Sequence, residues 1–264
     1  GGLHRLPDRA ALDGLVRELE WARAVSEEAV AWTASLPMEP FTQAYDCVSV
    51  REPEAYPLLD GRIISGSGLD IAPSDYDEHF EEEHLAHSNA LHSSLRRNPY
   101  LVGPIARFNL NYDRLGARAR AAAESVSLAP NVANPFQGII VRAVELVDAC
   151  DVSLAILERY TPPAAPGVPV TPRSARNAAC SEAPRGMLFH RYTTDSRGLV
   201  LDAKIVPPSA QNLQMMERDL GAFVAARADW DERQLTWRCE QAVRNYDPCI
   251  SCATHFLTLT IERD

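Results

Sequence analysis

The sequence predicts a mainly helical fold of the α+β class, in which a small mixed sheet and one β-hairpin are set among long helices. Three observations carry that expectation. Apolar residues recur at helical spacing over long stretches, the β-prone runs are short and confined to residues 46–72 and 186–206, and Pro and Gly clusters separate the two kinds of segment.

From Asp8 to Leu36, Leu12, Leu15, Leu19, Ala22, Val25, Ala29 and Trp32 step by three or four, which predicts a long amphipathic helix ended by Pro37 and Pro40. Cys47 to Val50 and Arg62 to Ile64, divided by Asp60-Gly61 and bounded by Gly66-Ser67-Gly68, predict a small sheet. Ser74 reads as a helix cap, and the acidic run Asp75 to Glu83 suits the positive end of a helix dipole, so a helix is expected to about Leu95. An Ala-rich helix over 114–125 and a longer one over 135–157 follow. Thr161 to Ala179, with Pro162, Pro163, Pro166, Pro169 and Pro172, predicts a loop or stiff linker. Gly186 to Thr193 and Gly198 to Val206 around Asp195-Ser196-Arg197-Gly198 predict a hairpin, and helices are expected over 212–228 and 232–244.

Composition excludes several function classes. The 264 residues hold 26 Lys+Arg against 36 Asp+Glu, a formal charge of −10 that repels phosphates, so nucleic acid is not an expected partner. No run approaches the roughly eighteen apolar residues of a membrane span, and the first residues lack an export-signal pattern. Six thinly spread cysteines are not a disulfide scaffold and fit a reducing, cytoplasmic setting.

The sharpest local signal is Asp247-Pro248-Cys249-Ile250-Ser251-Cys252-Ala253-Thr254-His255. A Cys-x-x-Cys pair lets two thiolates converge on one soft metal, and His255 adds an imidazole at short range. By spacing alone, a redox dithiol or half of a structural zinc site remains open. Pro184-Arg185-Gly186 can hold a planar guanidinium fork toward a cavity, which Lys does poorly, and Val206-Pro207-Pro208-Ser209 closes the same hairpin; each is also readable as an ordinary surface turn.

In this order the segments resemble the C-terminal part of the large, catalytic subunit of nickel-iron hydrogenases, closest to the cytoplasmic NAD(P)-linked or sulfhydrogenase-like branch. Asp-Pro-Cys-x-x-Cys-x-x-His at 247–255 carries the resemblance most specifically. Glu-Ala-Pro-Arg-Gly at 182–186, Phe189-His190-Arg191-Tyr192, Val-Pro-Pro-Ser-Ala-Gln-Asn at 206–212 and Val-Gly-Pro-Ile-Ala-Arg at 102–107 add to it.

The resemblance implies reversible heterolytic cleavage of dihydrogen at a nickel-iron centre bearing carbon monoxide and cyanide. Under it, Cys249 is a terminal nickel thiolate and the proton acceptor, and Cys252 bridges nickel to iron. Arg185, with Pro184, overhangs the metals and is held by Asp247. Pro207, Pro208 and Ser209 cradle a cyanide. His255 ligates a buried magnesium and ends the mature chain once a maturation endopeptidase has removed 256–264. Electrons would leave through clusters held only by an iron-sulfur small subunit, and onward through NAD(P)-reducing diaphorase-type subunits; nickel-insertion proteins are further implied partners.

Residues 1–264 are accordingly expected to form one C-terminal portion of such a subunit. The family's first Cys-x-x-Cys and its Arg-Gly-x-Glu segment are not among them, and the chain on its own is expected to be inactive. Two rival readings are a non-catalytic scaffold related to the quinone-side subunit of respiratory complex I, which would not need Cys249 and Cys252, and a small zinc-binding interaction domain. Glu81 and His84, at a Glu-x-x-His spacing, would share a helix face, with His84 and His87 on a common face too, but no second copy of that pattern exists for a di-iron site. Met215, Met216 and the tryptophans are expected in the core, as are Cys150 and Cys239.

Overall fold

The computed structural model describes residues 6–249, and its architecture is the expected mainly helical α+β class. Helix α1 (Arg9–Ala34) starts where the Asp8 carboxylate accepts from the Ala11 amide at 2.8 Å, and packs along α5 (Gly138–Arg159). Its buried face is rotated from the stripe read off the sequence. Ser26, Val30 and Thr33 are buried, whereas Leu15, Val25 and Trp32 are exposed. The Ser26 and Thr33 hydroxyls donate to the carbonyls of Ala22 and Ala29, which is how two polar side chains sit on the inner face without loss. Trp21 and Trp237 are exposed as well, so the expectation of core tryptophans fails at three of the four positions.

Strands β1 (Val48–Arg51), β2 (Arg62–Ser65) and β3 (Asp70–Ile71) form the expected small sheet, antiparallel at both pairings rather than mixed. The next segment departs from expectation. After a single short turn of helix, α2 (Tyr76–His79), residues 80–95 form a hairpin of β4 (Phe80–His84) and β5 (Leu91–Leu95) in place of a continued helix. The reason is tertiary. His92, Ser93, Ser94 and Leu95 are buried where β5 packs on a later helix, and a buried backbone needs hydrogen-bond partners that β4 supplies. Phe80 joins an aromatic stack with Tyr76 and, through it, Phe189, at ring separations of 4.3 and 4.0 Å. With a strand's period of two, Glu81 and His84 point to opposite faces, which removes the Glu-x-x-His arrangement.

Helix α3 (Pro104–Asn111), unannounced by periodicity because it is barely two turns long, leads to α4 (Ala117–Ser125) and then to α5, whose entry is a tight turn at Pro135–Gln137. The Pro-rich segment ends earlier than its composition suggests. Residues 175–183 form β6 (Ala175–Ala183), paired along its whole length with β7 (Gly186–Thr194), which pairs with β8 (Val200–Val206) across the expected Asp195–Gly198 turn. Helices α6 (Pro208–Ala225) and α7 (Glu232–Arg244) are the last elements among the described residues, and Cys150 and Cys239 are buried on α5 and α7 as expected. Among the described residues no helix is long and apolar enough to cross a membrane.

Candidate metal centre

Strands β6 and β7 are joined by two residues, Pro184 and Arg185, between the paired Ala183 and Gly186. The turn sits directly on the strand-to-helix segment Val102-Gly103. A Cβ on Gly186 would stand 2.7 Å from Val102 Cγ2, and one on Gly103 would stand 2.7 Å from the Arg185 carbonyl oxygen. Both glycines also have positive φ, +137° and +106°, so backbone geometry and close approach require the same residue at both places.

The turn is gripped from below by Arg107 of α3, whose side chain is 5% exposed. One guanidinium nitrogen donates to Glu182 Oε2 at 2.9 Å and to the Ala183 carbonyl at 2.7 Å; the other donates to Glu145 Oε2 at 2.8 Å and to the Pro184 carbonyl at 2.9 Å. Burial alone would disfavour the charge, but Glu145 and Glu182 more than offset it and hold the guanidinium protonated. Burial pushes the Glu182 carboxyl above the usual carboxylate range, opposed by Arg107, the Val50 amide and the Ser49 hydroxyl. A planar five-donor fork is the one side chain that can serve two carboxylates and two carbonyls together.

Helix α6 ties the same region from the other side. Asn212 Oδ1 accepts from the Val102 amide at 2.9 Å and its Nδ2 donates to the Val102 carbonyl, while Gln211 Nε2 donates to the Met187 carbonyl at 2.6 Å. These two side chains place the first turn of α6, with Pro207 as cap and Pro208 and Ser209 following, beside the Pro-Arg-Gly turn. Pro at the first helical position suits that turn because the missing N–H had no intrahelical partner to lose.

The segment leaving α7 is pinned at three consecutive residues. Arg142 donates to the Asn245 carbonyl at 2.5 Å, and the Tyr246 hydroxyl donates to Asp219 Oδ2 at 2.6 Å, an oxygen that also accepts from Tyr45. Arg185 Nε meets the Asp247 carbonyl at 2.6 Å and Oδ2 at 3.2 Å. Asp247 has φ +48°, a left-handed conformation that Asp tolerates better than most residues and that turns the chain toward α6. Two residues on, the half-buried Cys249 donates its amide to Ser209 Oγ at 3.5 Å. A cavity of about 20 Å³ lies among Val102, Pro104, Arg142, Asn212, Asn245 and Tyr246, where these segments meet.

Of the residues named from the sequence, the structure thus brings together Pro184, Arg185, Pro207, Pro208, Ser209, Asp247 and Cys249; Cys252 and His255 lie outside the described residues. The Arg185–Asp247 pair is at the rim, 43% and 45% exposed, rather than within the helical core. Sequence reading missed Arg107, Gln211 and Asn212 as working residues although all three stand inside the quoted motifs, and it missed Glu145, Arg142, Asp219 and Tyr45 entirely. For these last four no local signal exists, because each acts on a residue distant in sequence.

No family model matches the chain. It is 28% identical over 265 residues to sulfhydrogenase 1 subunit alpha of Pyrococcus furiosus, a match covering 98% of this chain and 61% of that protein. It is 28% identical over 212 residues to the NAD-reducing hydrogenase HoxS subunit beta of Cupriavidus necator, covering 69% of this chain and 40% of that one. Among solved structures, an NAD+-reducing NiFe-hydrogenase in the H2-reduced state superposes with a TM-score of 0.77 at 25% identity, over 97% of this chain and 62% of that one. A NiFeSe hydrogenase from Desulfovibrio vulgaris Hildenborough shares the fold at a TM-score of 0.71 and 17% identity. The chain therefore spans about three fifths of the length of the first of these relatives.

Proposed function

We propose, from the premise that this chain belongs to the large-subunit family of nickel-iron hydrogenases, that it supplies the Cys249–Cys252 side of a nickel-iron centre for reversible heterolytic cleavage of dihydrogen. The observation that supports this best is the meeting of three motifs distant in sequence. Arg185 of the β6–β7 turn and Ser209 of the α6 first turn both contact the short segment Asp247–Cys249.

The residues present fit such a centre. A half-buried cysteine offers a soft thiolate, a guanidinium held on both Nε and Nη by Asp247 is fixed in orientation, and the amides of the α6 first turn lack intrahelical partners and favour an anionic ligand. When bound through Cys249 and Cys252, the metal pair with its carbon monoxide and cyanide ligands supplies the Lewis acidity that polarises the H–H bond.

Arg185 is the donor positioned to stabilise charge developing there, and Asp247 removes the rotamer search that an unpaired Arg would undergo. Ser209 and the Cys249 amide set where the Cys249 Sγ stands, and that sulfur takes the proton released as the bond breaks. The two electrons would leave to an iron-sulfur partner subunit and the second proton to solvent; the NAD-reducing relative supports NAD(P) as the later acceptor. His255 would hold a magnesium ion and mark the cut of a maturation endopeptidase, in a cytoplasmic assembly. The chain contains one Cys-x-x-Cys pair, so a four-thiolate centre needs two sulfurs from elsewhere and the 264 residues alone are expected to turn over no hydrogen.

Elemental analysis and infrared spectra of the assembled complex test the reading. Nickel and iron together with carbonyl and cyanide stretches are expected. Zinc in their place, or no metal, would overturn it in favour of an interaction domain or a scaffold.

A further inference from the structure

Away from that centre, the turn of the β4–β5 hairpin brings together three side chains that the proposed function does not use. His87 stands in the turn, which is braced by the Ser88 amide donating to the Leu85 carbonyl and the Ser88 hydroxyl donating to the Ala90 carbonyl. His92 follows on β5, opposite Glu83. Glu217 reaches them from α6. His87 Nε2 is 2.8 Å and His92 Nε2 is 3.9 Å from the same oxygen, Glu217 Oε1, and one donor atom from each of the three residues lies within 4.8 Å of the others.

His92 is what points to a ligand. It is 1% exposed, and neither of its ring nitrogens has a hydrogen-bond partner. Buried polar groups are almost always satisfied, and an imidazole with both nitrogens orphaned inside a protein calls for an occupant that accepts a lone pair. Its ring meets His87 edge to face at 5.7 Å, and Glu217 Oε1 faces its Nε2.

We propose that His87, His92 and Glu217 form a second metal site, for a borderline divalent transition ion of the zinc class, which clips the β4–β5 hairpin to α6. Ligands about 2.0–2.1 Å from a tetrahedral ion stand roughly 3.4 Å apart. The 2.8 and 3.9 Å from Glu217 to the two imidazoles bracket that value and the two imidazole nitrogens lie within 4.8 Å, so modest side-chain shifts complete three legs of a tetrahedron. Two imidazoles and one carboxylate suit zinc better than calcium or magnesium, which prefer all-oxygen shells. Burial lowers the tendency of His92 to protonate, which keeps its lone pair free near neutral pH. The side chains of His87 and Glu217 are 62% and 49% exposed, so the fourth leg faces solvent and takes a water. The ion would cross-link two elements that already pack together, and one of them, α6, carries Ser209 in its first turn beside Cys249.

The test titrates zinc into the full chain carrying Cys249→Ser and Cys252→Ser, so that the thiolate site cannot account for binding and the outcome is independent of the nickel-iron reading. One equivalent of zinc is expected. Glu217→Gln and His87→Gln, both at exposed positions that leave the fold intact, should each weaken it by at least the roughly 10- to 100-fold that even an outer-shell change costs. Cobalt in place of zinc should give a tetrahedral visible spectrum without thiolate charge transfer. No bound zinc in the double-serine chain, or binding unchanged by Glu217→Gln, would overturn the site.

Discussion

Arg107 grips the two-residue turn to which Arg185 belongs, and the two arginines are partnered in opposite ways. Arg107 is 5% exposed and spends its donors on two carboxylates and two carbonyls; Arg185 is 43% exposed and has Asp247 as its carboxylate partner. The difference separates a residue that holds the turn from one proposed to act on a ligand. A guanidinium held by several partners fixes the Ala183 and Pro184 carbonyls in space, whereas one steered by a single carboxylate among the described residues can address a ligand.

The largest effect is expected from Arg107→Ala, which leaves the buried Glu182 and the partly buried Glu145 without their cation and should cost about 3–5 kcal/mol in chemical denaturation of the full chain. A loss under about 1 kcal/mol would break the contrast between the two arginines. Gly186→Ala comes next. Strained backbone costs roughly 1–3 kcal/mol, and here a methyl pressed against Val102 adds to it; in the assembled complex hydrogen turnover should fall together with stability.

Tyr246→Phe removes one donor to Asp219 but leaves Tyr45, so a loss of about 1 kcal/mol is expected from the same denaturation curves. Arg185→Lys sharpens the comparison most. An exposed pair contributes at most about 1 kcal/mol, so stability should barely move, while turnover of the assembled complex should drop on the order of 10²- to 10³-fold. Equal effects on stability and turnover would place Arg185 with Arg107 as a purely structural residue.

The smallest signal is a pH dependence. Burial raises the Asp219 carboxyl above its ordinary 3.8, so between that value and its folded one the folded chain binds more protons than the unfolded chain, and stability declines as pH rises. Asp219→Asn carries no such proton. The stability difference between variant and parent should therefore move in the variant's favour as pH is raised through that window, which paired denaturation curves at acidic and neutral pH would show.

Legibility followed the range of the forces involved. Helices α1, α5 and α7 were readable because their apolar spacing repeats over many turns, and the Asp195–Gly198 turn because its residues demand it. The acidic run at 75–83 has the propensity and dipole pattern of a helix, yet burial of His92 to Leu95 against α6 made it a strand partner. Likewise β6 is rich in Ala and small polar residues and becomes a strand through nine-residue pairing with β7. Trp21, Trp32 and Trp237 were misjudged because hydrophobicity states a preference for burial but not whether a neighbour is there to provide it.

By itself the sequence determined the fold class, the resemblance to hydrogenase large subunits and the candidacy of Arg185, Ser209, Asp247 and Cys249, because these depend on residue type and on spacing along the chain. Only the tertiary structure decided that those residues meet, that Arg107 and Asn212 hold the turn and helix that bring them there, and that His87, His92 and Glu217 share one corner. Those are contacts between residues up to 130 apart, whose distances no local pattern encodes; at the Pro-Arg-Gly turn, close packing around glycines 103 and 186 sets them.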